Sequence, residues 1–253
     1  MFSKAIVRKP GKSMVKGLTT AHLGPPDYDL ALEQHAAYVH LLQSCGLDVL
    51  VLEADERFPD STFVEDTALL TPNGAIITNP GAPSRRGEID AMIPVVRRFY
   101  DQVDQIVDPG SVDAGDILQV DSHYYIGLSS RTNESGAKQM IDILNRYGLS
   151  GSTVKLTDVL HLKTAVAYLQ YNHLVVCGEI VKRPDWNHLE KIEIPVQESY
   201  AANCIWVNDR VIIASGHPIT RQKISAAGYS VIEAEMSEFQ KLDGGLSCLS
   251  LRF

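Results

Sequence analysis

The chain of 253 residues is 45% hydrophobic and 21% charged, with a mean hydropathy near zero and its Gly and Pro scattered along the sequence. A chain of this size buries about three quarters of the surface it exposes when unfolded, so a core forms without staples and disorder is excluded. The formal net charge of −8 opposes nucleic-acid binding, which relies on clustered Lys and Arg; taken alone it reports solubility and favours a cationic ligand only weakly.

The first stretch, MFSKAIVRKPGKSMVKG, has no apolar h-region, and no run in the chain approaches the roughly 18 apolar residues of a membrane span. A cytoplasmic, unprocessed protein without membrane or nucleic-acid contacts is expected. Apolar runs bounded by Gly, Pro, Asn or Asp predict strands at Ala5 to Val7, Val49 to Leu52, Ala75 to Thr78, Ile117 to Val120 and Tyr124 to Leu128. Further strands are predicted at Leu174 to Cys177, Cys204 to Val207, Val211 to Ala214 and Ser230 to Glu233. Helical periodicity is interleaved with them over Tyr28 to Ser44 (Leu32, Ala36, Val39 and Leu42 on one face), Ile89 to Phe99, and Glu134 to Tyr147 (Ala137, Met140, Ile141 and Leu144).

Three segments share a layout of apolar strand, small polar loop carrying an Arg, then helix: AIITNPGAPSRRGEIDAMIPVVRRF, YIGLSSRTNESGAKQMIDILNRYG and VIIASGHPITRQKISAAGYSVIE. Repetition of a ββαβ-like unit points to a radially repeated α/β architecture. A doubly wound sheet is the alternative, but neither GxGxxG nor a phosphate loop supports it. No linker-like stretch divides the sequence, so residues 1–253 are expected to form one domain.

Chemistry gathers in four places. Phe58-Pro-Asp-Ser-Thr-Phe-Val-Glu-Asp66 sets Asp60, Glu65 and Asp66 among Phe58, Phe63 and Val64. Carboxylates match the planar donor fork of a guanidinium, although a solvated acidic loop reads equally well from this stretch alone. In Ser111-Val-Asp-Ala-Gly-Asp116, Asp113 and Asp116 flank a turn glycine and offer a carboxylate to orient a histidine or hold substrate; DxGD is also a common turn. His161 lies in VLHLKT, where a histidine among apolar residues is more often a satisfied core group than a catalyst. Cys248 follows paired glycines in KLDGGLSCLSLRF, where free backbone N–H groups would lower a thiol pKa, yet buried cysteines are usually inert. The other cysteines, Cys45, Cys177 and Cys204, form no CxxC, and the histidines show no metal-ligand spacing. Asn133-Glu-Ser135 matches a glycosylation sequon, an idle match in a cytosolic chain.

Taken in order, GLTTAHLG, FPDSTFVED, SRRGE, DAGD, SSRTNESGA, HLKT, ESYAANCIWVN and DGGLSCLSLRF resemble the dimethylarginine dimethylaminohydrolase family of the guanidino-modifying superfamily, which includes arginine deiminase. The resemblance covers essentially the whole chain. It implies an α/β propeller of five ββαβ units around a central active site, with Cys248 as nucleophile, His161 as general acid/base and Asp113 as the acid supporting the histidine. Relatives often carry Glu at that last position, so the shorter Asp must reach its histidine from closer. Asp60, Glu65 and Asp66 correspond to residues holding the guanidinium and neighbouring polar groups; Phe63 belongs to the same substrate-binding segment. Arg85 and Arg131 match arginines that grip the amino-acid end of the substrate, and Leu18 and Leu242 match lid or backbone contacts. The implied reaction hydrolyses a methylated arginine, a small-molecule substrate, and needs no metal or organic cofactor, although zinc could bind such a cysteine, histidine and carboxylate set as an inhibitor. A homodimer is the expected assembly.

Arginine or agmatine deiminases use the same chemistry, but their catalytic histidine is typically followed two positions later by a carboxylate, where this chain has Lys163. A non-catalytic propeller such as the ribosome anti-association factor would need none of these groups. A cysteine peptidase usually places its nucleophile ahead of its histidine, whereas Cys248 follows His161.

Overall fold

Short β-branched runs punctuated by Gly, Asn and Asp make small sheets rather than one large one. Five three-stranded sheets form in the computed structural model, which describes residues Met1 to Phe253. In the first, β1 (Lys4–Arg8) runs parallel to β2 (Asp48–Leu52) through the crossover helix α1 (Tyr28–Ser44). The second is the hairpin of β3 (Ala68–Thr71) and β4 (Gly74–Ile77), followed by α2 (Glu88–Val96) and β5 (Val103–Gln105), parallel to β4. The third repeats this with β6 (Ile117–Val120), β7 (His123–Leu128), α3 (Glu134–Arg146) and β8 (Ser150–Lys155).

The fourth sheet joins β9 (Val166–Tyr168), β10 (His173–Val176) and β11 (Glu190–Glu193), and the fifth β12 (Ile205–Val207), β13 (Arg210–Ala214), α4 (Pro218–Ala226) and β14 (Ser230–Ala234). After α5 (Ser237–Gln240), β15 (Leu251–Arg252) returns antiparallel to β1, with Leu251 opposite Ile6 and Arg252 opposite Ala5. The last strand therefore supplies the missing first strand of the first unit. All five units have the same strand order, and the ring closes as the α/β propeller that the repeats predict. First strands face the axis, where β15 touches β3, β6 touches β9, and β9 touches β12.

The predicted helices stand with small changes. Asp27 caps α1 by accepting from the Asp29 and Leu30 N–H groups, and Asn133, the sequon match, caps α3 through Gly136 N–H. In α2, Pro94 removes a backbone donor, and the helix ends at Val96 rather than at Phe99. The fourth crossover departs from the ββαβ pattern. It is built from two short 3-10 turns, Gly178–Ile180 and Pro184–Trp186, because Pro184 stops helical propagation while Trp186 is fully buried to fill the layer. No helix is long and apolar enough to cross a membrane.

Candidate active site

The four chemical segments occupy one recurring position in the repeat. A 3-10 turn precedes the first strand of four units: Val64–Thr67 before β3, Ala114–Asp116 before β6, Leu162–Thr164 before β9 and Ser247–Leu249 before β15. In the fifth, Val196–Ala202 leads to Asn203 and β12. Pseudosymmetry thus carries Glu65 and Asp66, Asp113 and Asp116, His161 and Lys163, and Cys248 to the same end of the axis. Their turns touch in sequence around the ring.

Glycines set the spacing. A Cβ on Gly115 would stand 2.9 Å from Asp66 Oδ1 and 3.3 Å from the His161 ring, so DAGD needs its glycine for close approach and not only for turning. The paired glycines before Cys248 have separate duties: a Cβ on Gly244 would strike the Phe63 ring at 2.2 Å, and one on Gly245 the Asn203 amide at 2.4 Å.

His161 Nε2 lies 3.1 Å from Asp113 Oδ2, so the shorter acid does reach its histidine. The other Asp113 oxygen accepts from Gly81 N–H at 2.8 Å. Asp66 accepts from Gly115 N–H at 2.8 Å through Oδ1 and from Arg85 Nη1 at 2.5 Å through Oδ2. Glu65 receives Lys163 Nζ at 2.6 Å and the Ser247 hydroxyl at 2.7 Å. The Asp60 carboxylate, equally buried, accepts only Leu18 N–H, at 3.0 Å. Two of the three clustered carboxylates are therefore matched by internal cations, and Asp60 has no such partner in contact.

These surroundings shift the titrating groups. Burial works to lower the His161 pKa, but the Asp113 hydrogen bond and the charges of Asp66 and Asp116 dominate and raise it to about 9. Burial raises Asp60. It also opposes ionisation of Asp66, but Arg85, His161 and the Gly115 N–H prevail and bring that carboxyl below its usual range. For Cys248, burial and the charges of Glu65 and Asp66 push the thiol up to about 12. Gly245 N–H does donate to Sγ, at 3.3 Å, yet the expectation that backbone N–H groups lower this pKa fails, because desolvation and two carboxylates outweigh one amide.

The remaining predicted residues divide in two. Arg131 is half-buried, its guanidinium has no hydrogen-bond or ion-pair partner, and its charge is felt at Asp60. Arg85, by contrast, is 5% exposed and bound to Asp66, Glu88 and the Phe63 carbonyl, leaving a hydrogen on Nη1 free. The Phe63 ring is buried under Gly244 and meets Phe239 edge-on at 6.3 Å. Leu18 is exposed and held by its backbone, while Leu242 is buried beside Gly17.

Sequence reasoning passed over Asn203, Ser247 and Glu88. Asn203 donates to the Lys163 carbonyl and to Ser247 Oγ, and accepts from Ser247 N–H, tying the histidine turn to the cysteine turn. Its position just ahead of β12, equivalent in the repeat to the other site segments, is the signal that could have found it. His161, Asp113 and Asp66 bring donor atoms within 4.8 Å of one another, a spacing a cation fits. Asp66 is, however, already ion-paired and both Asp113 oxygens are engaged, which suits the trio to holding a proton on His161.

The chain matches, over residues 27–249, the family model described as N,N dimethylarginine dimethylhydrolase, eukaryotic. It is 57% identical to the N(G),N(G)-dimethylarginine dimethylaminohydrolase of Pseudomonas aeruginosa, with 100% of both chains covered. This chain belongs to the dimethylarginine dimethylaminohydrolase family. A solved structure of the Pseudomonas aeruginosa family member, a Cys-to-Ser mutant complexed with citrulline, is similar over 100% of both chains with a TM-score of 0.99 and 57% identity. Equally similar, at the same TM-score, identity and coverage, is a dimethylarginine dimethylaminohydrolase in which a His-to-Gly variant forms an adduct with S-methyl-L-thiocitrulline.

Proposed function

We propose that this protein hydrolyses Nω-methylated arginines, asymmetric dimethylarginine and monomethylarginine, to citrulline and dimethylamine or methylamine through a thiouronium intermediate on Cys248. The observation that carries the reading is a half-buried thiol facing the charges of Glu65 and Asp66, at the same end of the propeller axis as a histidine whose pKa Asp113 and neighbouring carboxylates raise. A thiol so placed is inert until a cation arrives. The guanidinium of the substrate supplies that cation: lodged against the carboxylates, it offsets the field that opposes ionisation of Cys248.

Asp60 and Asp66 hold the guanidinium and its neighbouring polar groups, with Glu65 beside them partly neutralised by Lys163. Arg131 takes the substrate carboxylate, and Arg85 acts chiefly by fixing Asp66 and the Phe63 carbonyl. Leu18 and Leu242 cover the ligand. Held in this way, the weakly electrophilic guanidinium carbon meets the thiolate, whose proton has passed to solvent as the cation binds because His161 already carries one. Sγ bonds to carbon, and the tetrahedral adduct collapses as His161 gives its proton to the departing amine. Neutral His161 then takes a proton from water, whose oxygen attacks the thiouronium carbon; citrulline forms and Cys248 leaves as the thiolate. Nε2 is occupied by Asp113, so Nδ1 is the nitrogen that exchanges the proton.

Every group in this proposed scheme lies within residues 1–253, which we take as one catalytic domain acting on a small molecule in the cytoplasm, as a homodimer. The deiminase reading is disfavoured by Lys163, which brings a positive charge to Glu65 where deiminases add a second acid. Incubation with asymmetric dimethylarginine and, separately, with arginine decides between them. Citrulline with dimethylamine from the first and little ammonia from the second is expected; comparable ammonia release from arginine would overturn the substrate assignment.

A further inference from the structure

Asp116 is 0% exposed and touches neither solvent nor the thiol, yet its two oxygens reach three site segments. Oδ1 accepts from Leu162 N–H at 3.0 Å, fixing the turn that begins at His161. Oδ2 accepts the Ser129 hydroxyl at 2.6 Å and the Thr132 hydroxyl at 2.7 Å. Ser129 Oγ in turn accepts from the N–H groups of Arg131 and Thr132, and Thr132 Oγ1 accepts from Asp113 N–H. One carboxylate thus pins the backbone beside the general acid/base, the backbone of the unpaired arginine, and the acid that orients the histidine.

We propose that Asp116 is a positioning residue that couples His161 to the Arg131 loop, so that the proton donor and the grip on the amino-acid end of the substrate are set by one buried group. The inference rests on the roles given above to His161 and Arg131. An amide replaces it poorly: its one oxygen can serve Leu162 N–H or the two hydroxyls but not both, and its NH2 group faces either the Leu162 N–H or a Ser129 hydroxyl that already accepts two N–H groups. The charge matters as well. Burial raises the Asp116 carboxyl to about 6, so it is ionised at neutral pH, and its negative charge helps keep the proton on His161.

The test is Asp116→Asn, read in three ways. KM for methylarginine rises about tenfold, in proportion to loosening of the Arg131 loop. The penalty overlaps with that of Arg131→Ala in a double-mutant cycle instead of adding to it. The His161 imidazole, followed by NMR titration without substrate, loses its proton about one pH unit lower than in the unaltered protein. Ser129→Ala, which releases only the loop side, raises KM severalfold and leaves the His161 titration in place. Full additivity with Arg131→Ala, or an unmoved titration in Asp116→Asn, overturns the proposal. If Asp116→Asn does not fold, an unchanged KM in both Ser129→Ala and Thr132→Val overturns it. Turnover of methylarginine by the unaltered protein tests the function separately, and the titration requires no substrate at all.

Discussion

Cys248 sits in a field that raises its pKa, and His161 in one that does the same, so both groups favour their protonated forms. This sets a pH dependence. In the proposed mechanism His161 carries its proton into the reaction, and its pKa of about 9 lies above the usual value for histidine, so kcat/KM should fall as pH rises through about 9. Asp113→Asn removes the largest of the interactions raising that pKa, and the alkaline limb of the profile moves to lower pH by about one unit or more. A limb unmoved in that variant contradicts the assignment of His161. Gly115→Ala tests the geometry: its Cβ would force Asp66 and His161 apart, a strain of about 1–3 kcal/mol, and kcat should fall about 10- to 100-fold while thermal unfolding of the protein changes by only a few degrees. Wild-type turnover in Gly115→Ala would show that the two side chains need not meet. At this scale much was legible. The acids, the histidine and the cysteine stand out by residue type, but taken singly none is more often catalytic than structural. Their pKa values were not legible, since these depend on which charges the fold brings together: Gly245 N–H reaches Sγ and still loses to Glu65 and Asp66.

Elements place these residues through short turns. The loop after Gly17 is fastened to the chain ahead of Cys248: Thr20 bonds Asp243 Oδ2 through N–H and hydroxyl, and the Thr19 hydroxyl donates to the Lys241 carbonyl. This latch holds Leu18 over Asp60. Asp243→Asn keeps a residue that tolerates the left-handed backbone at φ 57° while weakening the latch, so KM should rise severalfold with kcat nearly intact. Equal falls in kcat and kcat/KM would place Asp243 in the chemistry instead. The second strands β1, β4, β7, β10 and β13 are buried in the middle of the five sheets and were clear in the sequence as apolar runs. The outer strands β5, β8 and β11 read Val-Asp-Gln, Ser-Gly-Ser-Thr-Val-Lys and Glu-Lys-Ile-Glu; they face solvent and lack the alternation that marks a strand, so only their pairing reveals them. The 3-10 turns have no periodicity at all, and they carry or adjoin most of the groups proposed to act in catalysis. For that reason the candidate site was read from ordered motifs and not from any element.

Across the whole molecule, ring closure and the nucleophile share one piece of chain. Three residues after Cys248, β15 pairs with β1, the Phe253 carbonyl accepts from the Ser3 and Lys4 N–H groups, and the Phe253 ring packs on Phe99 at 5.1 Å and Tyr100 at 5.7 Å. Removal of Leu251, Arg252 and Phe253 opens the ring and strips a buried leucine and an aromatic from the seam. Urea unfolding should report a loss of about 3–5 kcal/mol, with activity lost even where the protein remains folded, because Cys248 is no longer anchored. Retained activity would separate closure from catalysis. The fivefold repeat was partly visible in sequence through three of its units. The fourth was hidden by Pro184, which replaces its helix with turns, and the first by closure, since its strands come from opposite ends of the chain.

The central claim is that Cys248 attacks the guanidinium carbon, and S-methyl-L-thiocitrulline with His161→Gly tests it most directly. Its thiolate leaving group departs without a general acid, whereas hydrolysis of the resulting thiouronium lacks its base, so the intermediate accumulates. Mass spectrometry of the quenched variant should find a single covalent addition, mapping to the peptide that contains Cys248. No addition, or one on Cys45, Cys177 or Cys204, would contradict the account.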